Sequence, residues 1–136
     1  MDMKISTRGR YALRMMLDFA IHDIGGYISL RDVAGREDIS VKYMEQIVGL
    51  LSRAGLLESV RGAQGGYRLA QSAEDCTVGD ILYATEKSLA PVSCLTAQEE
   101  QCPREDSCTT HPFWAGLQET IQDYVDSVTL ADLAGR

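Results

Sequence analysis

The stretch that most restricts what this chain can fold into is residues 56–70, LLESVRGAQGGYRLA. Two short runs, LLESVRG and GYRLA, read as strands. They flank GAQGG, whose glycines tolerate the positive backbone angles a tight reversal needs. Directly upstream, VKYMEQIVGLLSRAG reads as a helix. Ser40 stands where an N-cap hydroxyl belongs, Tyr43, Ile47, Leu50 and Leu51 are expected to face the core, and Gly55 ends it.

The residues before that helix extend the pattern. Residues 7–24 predict a first helix with Leu13, Met16, Leu17, Ala20, Ile21 and Ile24 as its apolar face, stopped by Gly25 and Gly26. YISL is a short extended piece. Ser29 then predicts the cap of a helix from Leu30 to about Glu37, with Asp32 in its first turn, and REDIS supplies a tight turn. Helix, short helix, turn, helix and two-stranded hairpin is the order of a winged helix-turn-helix. The expected fold is therefore mainly α with a small β-hairpin wing.

Charge divides the chain. The net value of −7 argues against nucleic acid if taken whole, but residues 1–70 sum to +2 and residues 71–136 to −9. If the protein touches DNA, the first half does so. The N-terminal turns of the Ser40 helix carry Lys42, Tyr43, Glu45 and Gln46. Gln pairs with adenine and Glu accepts from cytosine. Tyr43 is open between inward packing and a phosphate. Arg61 and Arg68 flank the wing glycines, with Gln64 at the tip, where arginine suits a minor groove. Arg8, Arg10 and Ser40 are candidate phosphate contacts. Against this, a glycine pair between strands is also an ordinary turn, Lys42 and Gln46 alone make an ordinary solvated face, and a winged helix also serves as a protein-binding module. The complete order of elements and the charge split favour the DNA reading.

The second half holds a different signal. Thr77 predicts a cap for VGDILYATE, with Asp80 in the N3 place usually taken by Glu or Gln. Residues 88–112 lack periodicity, and a loop of that length inside a compact chain is often functional. It contains Cys94, Cys102, Cys108 and His111, spaced C-x7-C-x5-C-x2-H. Thiolates suit iron in a cluster, zinc or copper. Tight CxxC pairs, usual in structural zinc sites, are missing, and iron–sulfur clusters accept longer spacings. The loop acids Glu99, Glu100, Glu105 and Asp106 would raise thiol pKa values, which argues against a simple low-pKa thiol switch. His111 also suits a cap before Pro112. Cys76 stands apart as a partly buried small residue, and His22 near a helix end suits the C-terminal dipole.

From residue 113 the chain is periodic again. Trp114, Leu117, Ile121, Tyr124, Val125 and Val128 form one apolar stripe, and TLADL predicts a short final turn capped by Thr129. No other helix of the second half is long enough to cover the stripe, so a second copy is expected on it, with Trp114, Leu117, Ile121, Val125 and Val128 at the interface. The expected organisation is a DNA-binding domain over 1–87, a cysteine-rich ligand loop over 88–112, and a dimerisation helix with its tail over 113–136. No run is apolar enough for a membrane span, and the first twenty residues lack a clear cleavage site, so the expected place is the cytoplasm, where thiols stay reduced. No nucleophile–base pair or phosphate loop points to an enzyme.

ISTRGRYALRMMLDFA, ISVKYMEQIVGLLSRAGLLESVRGAQGGYRLA and the late three-cysteine loop together resemble the Rrf2 family of bacterial transcription regulators, over about residues 3–134. The resemblance implies a homodimer with crossing C-terminal helices that binds a double-stranded operator, and a repressor is expected. It also implies, for the cluster-binding branch, an iron–sulfur cluster on Cys94, Cys102 and Cys108 that senses iron, cluster supply, nitric oxide or redox state. His111 matches the histidine ligand of that branch's iron–sulfur cluster regulator. The first cysteine gap is longer here than in that member, which bears on cluster type; 2Fe–2S is favoured over 4Fe–4S. Another branch lacks the cluster and works through a partner enzyme, so a cluster-free thiol- or zinc-dependent regulator, or a module acting through a protein partner, is the alternative.

Overall fold

The computed structural model describes residues 5–62, 65–86, 88–91 and 109–135. Three helices open the chain: α1 (Thr7–Ile21), α2 (Leu30–Glu37) and α3 (Val41–Arg53). Each begins on a serine whose hydroxyl accepts an amide of the first turn: Ser6 from Gly9, Ser29 from Asp32, Ser40 from Tyr43. Between α2 and α3 the chain reverses through Asp38, which lies in the left-handed region at φ 56. After α3, Gly55 takes φ 80. The Gly55 amide donates to Ser52 and the Leu56 amide to Leu51, a Schellman closure that aims the chain into β1 (Leu57–Val60).

β1 pairs antiparallel with β2 (Gly66–Leu69), Leu57 opposite Leu69 and Val60 opposite Gly66. Ile28 adds a one-residue bridge to Tyr67 on the other edge of β2, with both backbone bonds at 2.8 Å. That bridge explains Gly66, because a Cβ there would run into the Ile28 carbonyl. The wing is thus tied to the α1–α2 connection as well as to α3.

The core lies among α1, α2, α3 and the next helix, α4 (Val78–Thr85), around Met15, Met16, Phe19, Val33, Met44, Ile47, Leu51 and Ile81. Thr77 and Asp80 close a complete capping box at the start of α4, the shorter Asp side chain reaching the Thr77 amide at 3.1 Å. Helix α5 (His111–Ser127) packs on α4 but buries no residue fully. The chain then returns. Val78 donates to the Val128 carbonyl and Leu130 to the Cys76 carbonyl, and α6 (Leu130–Ala134), with its own Thr129–Asp132 capping box, delivers a fully buried Leu130 to the core beside α1. The C-terminal residues assigned to a tail therefore pack onto the N-terminal helices.

Three sequence expectations need correction. Helix α1 ends at Ile21, and Ile24 is 90% exposed beyond it. Its buried side is Ala12, Met15, Met16 and Phe19; Leu13, Leu17 and Ala20 only flank it, and Ile21 is exposed. The face has turned because α4 and α6 also pack on this helix, a demand periodicity does not reveal. In α3, Met44 and Val48 are buried with Ile47 and Leu51, whereas Tyr43 and Leu50 are half-buried. Finally, α5 begins at His111, so His111 and Pro112 belong to the helix and not to the loop.

Candidate nucleic-acid interface

Because α3 buries Met44, Ile47, Val48 and Leu51, its opposite face presents Val41, Lys42, Glu45 and Gln46 to solvent in its first turns. Lys42, Glu45 and Gln46 are the polar residues expected to reach bases. Ser40 is exposed beside them, its hydroxyl accepting the Tyr43 amide at 3.2 Å. The Tyr43 ring turns inward and meets Tyr11 edge-on, centroids 5.7 Å apart. The ring thus packs within the fold, and the residue as a whole is half-buried.

On the wing, Arg61 is exposed. Arg68 stacks over Tyr27 at 4.5 Å and bonds the Glu58 carboxylate across the hairpin at 3.0 Å. These contacts raise its pKa, the Glu58 hydrogen bond first. Gln64 lies outside the described residues. Gly62 takes φ 115, and a Cβ on Gly65 would meet the Val60 carbonyl. The glycine loop is therefore sterically required. Between this loop, the start of α2 and the start of α3 runs an open groove of about 630 Å³, lined by Ser29, Arg31, Asp32, Val41, Gly62 and Gly65.

Arg10 is exposed, with one bond to the Thr7 hydroxyl at 3.1 Å. Arg8, another candidate phosphate contact, is engaged within the fold. Its Nη2 donates to the Thr85 carbonyl at 2.7 Å, and its Nε is buried without a hydrogen bond among the described residues. It ties α1 to the end of α4. Glu86 strengthens the same joint: its carboxylate accepts the Ser6 amide at 2.9 Å and the Ser6 hydroxyl at 2.6 Å, at the positive end of the α1 dipole. Gly9 is needed there, since a Cβ would strike that carboxylate.

A second joint ties α1 to α2. Asp18 of α1 is buried and receives Arg36 of α2 at 2.7, 3.0 and 3.2 Å. Burial works against ionising Asp18, but the bonds from Arg36 and the neighbouring charges outweigh it and lower its pKa. His22 caps α1 with Nδ1 3.6 Å from the same carboxylate. Arg14 holds Glu37 at 3.2 Å. Burial, then the nearby Asp18, raises the Glu37 pKa. Sequence reasoning missed the Asp18–Arg36 pair, the Glu86 clamp and Arg31. Asp18 and Arg36 do carry a signal, as charged residues close to apolar positions of their helices.

Cys94, Cys102 and Cys108 lie outside the described residues. His111, the fourth candidate ligand, is half-buried at the first position of α5. Three thiols and an imidazole form a donor set that fits an iron–sulfur cluster by ligand chemistry. Cys76 differs: burial, then the charge of Asp80, pushes its thiol up to about 11, so it stays protonated at neutral pH. On α5, Trp114, Leu117, Ile121, Val125 and Val128 are half-buried, while Phe113 and Tyr124 are 63% and 67% exposed. No helix among the described residues is long and apolar enough to cross a membrane.

The sequence profile of the Rrf2 family, described as an iron-dependent transcriptional regulator, matches residues 5–136. The protein named rrf2 of Nitratidesulfovibrio vulgaris is 44% identical over 96% of this chain and 87% of its own. The HTH-type transcriptional regulator IscR of Erwinia tasmaniensis is 38% identical over 96% of this chain and 78% of its own. Among solved structures, CymR, the global cysteine regulator of B. subtilis, superposes with a TM-score of 0.78 at 38% identity, over 97% of this chain and 96% of that one. With its winged helix-turn-helix head and C-terminal helix, this chain belongs to the Rrf2 family of transcriptional regulators.

Proposed function

We propose that the protein is a dimeric, cytoplasmic repressor that reads its operator with α3 and the wing, and whose affinity is set by an iron–sulfur cluster held by Cys94, Cys102, Cys108 and His111. The observation that carries the DNA half is the solvent-facing row of Lys42, Glu45 and Gln46 beside the glycine wing. In a major groove, Gln46 and Glu45 reach base edges, Lys42 and Ser40 meet the backbone, and Arg61, Gln64 and Arg68 lie towards the adjacent minor groove. Arg10 adds a phosphate contact at the flank. The half-exposed stripe of α5 is the surface for the second copy, which sets two reading helices one helical turn of DNA apart.

When bound, the cluster supplies an iron- and redox-responsive group at the start of α5. His111 is the first residue of that helix, and Glu86, at the other end of the connection, holds Ser6 of α1. A displacement passed from those ligands to His111 and Glu86 would alter the angle between the heads. Coupling of about 1–3 kcal/mol gives roughly 5–150-fold regulation. The IscR relative and the iron-dependent family description support this reading.

The CymR likeness favours a second reading, a cluster-free regulator that responds through thiols, zinc or a partner protein. Anaerobic purification of wild type and Cys102→Ala, with absorption spectra and iron and sulfide counts, separates the two. Charge-transfer bands with matched iron and sulfide, lost in the variant, support the cluster; a colourless protein after reconstitution supports the second reading. Equal operator affinity of apo and loaded dimers would overturn the gating. Selection from random duplexes tests the reader itself, since Lys42→Ala/Gln46→Ala/Arg61→Ala should abolish sequence preference.

A further inference from the structure

Resting on the DNA-reading assignment above, we infer that the groove between α3 and the wing seats a DNA phosphodiester, and that Arg31 is its cationic partner. A reading helix in a major groove and a wing in the neighbouring minor groove straddle one sugar–phosphate strand. The space between those two elements is where that strand must pass. Here it is an open groove of about 630 Å³, with Val41 of α3 on one side and Gly62 and Gly65 of the wing on the other. Neither glycine carries a side chain to obstruct a backbone ridge.

Arg31 lines this groove from the first turn of α2. It is exposed, and no hydrogen bond or ion pair engages it among the described residues. Its setting contrasts with the other arginines nearby, since Arg14, Arg36 and Arg68 each hold a carboxylate. A cation in the first turn of a helix also opposes the helix dipole, so local helix stability does not explain it. Asp32 is the one acid on the groove wall. Its amide is taken by the Ser29 hydroxyl at 3.1 Å, and its charge acts on Arg36 one turn on, raising that pKa along with Asp18. Arg31 is left as the cation facing the groove.

A phosphate contact has a signature distinct from a base contact. It weakens binding to every sequence alike and changes the salt slope. The experiment measures affinity of the full-length protein across salt concentrations, on a duplex selected by the wild type from a random pool and on an unrelated duplex of equal length. In Arg31→Ala, the slope of log K against log salt should become shallower by about 0.9 per subunit engaged. If affinities converge near 1 M salt, that corresponds to about eightfold weaker binding per contact at about 0.1 M, on both duplexes. Arg31→Lys should keep the slope, and thermal melting of Arg31→Ala should not fall, as expected for an exposed side chain at the positive end of a helix dipole. An unchanged slope in Arg31→Ala overturns the inference, as does a loss confined to the selected duplex, which would mark a base contact. If wild type selects no duplex, the DNA-reading assignment itself fails, a result distinct from either.

Discussion

Removing Arg36 should expose how α2 is held against α1. Asp18 has a side chain only 1% exposed, and Arg36 contacts both its oxygens. Arg36→Met leaves a buried carboxylate with His22 as its nearest cationic candidate, at 3.6 Å. Breaking a buried pair from one side costs about 3–5 kcal/mol. The Arg36 side chain is 35% exposed. Water screens part of the interaction, so a loss of about 2–4 kcal/mol is expected. Urea unfolding at a fixed protein concentration measures it, because a dimer's stability depends on concentration. The midpoint should fall with the slope unchanged. Asp18→Asn/Arg36→Met should recover much of the loss, with a coupling of about 1 kcal/mol or more. The pH dependence gives an independent sign. Asp18 has a lowered folded pKa, so its contribution is present above the unfolded value and lost as pH falls through the folded one. Glu37 has a raised folded pKa, so its contribution is present below the unfolded value and lost as pH rises through the folded one. In Arg36→Met the unpaired Asp18 is relieved by protonation, and the deficit against wild type should narrow from pH 7 to about pH 4. A loss below about 0.5 kcal/mol, or a deficit that does not change with pH, would refute the argument.

Three further outcomes are expected. Gly66→Ala should cost about 1–3 kcal/mol and weaken DNA binding, because the Ile28 carbonyl is backbone and cannot swing aside. Gly35→Ala, in α2 with nothing near its Cβ, should stabilise by about 0.5–1 kcal/mol in the same urea-unfolding assay; destabilisation there would contradict the open space. Gln46→Ala should lose about 1–3 kcal/mol of discrimination between the selected duplex and its single-base variants, read by competition binding. Leu117→Asp/Ile121→Asp should give monomers in sedimentation with head helicity retained, and a dimer of wild-type affinity would remove α5 as the interface.

The sequence by itself determined the local events. Ser29, Ser40, Thr77 and Thr129 each cap the helix expected of them, and Gly55 ends α3, because a cap is decided by a hydroxyl and an amide three residues apart. The order of helices and hairpin followed from those stops, and so did the polar face of α3. Tertiary structure decided what depends on distant partners. It turned α1 onto Met15 and Phe19 because α4 and α6 share its surroundings, and it brought Leu130 back into the head. It committed Arg8 to the Thr85 carbonyl, 77 residues away, while leaving Arg31 in the groove beside the wing. Both are arginines in the first turn of a helix, and residue spacing treats them alike. Only the packing of α4 against one, and of an empty groove against the other, separates a structural tie from a charge that faces outward.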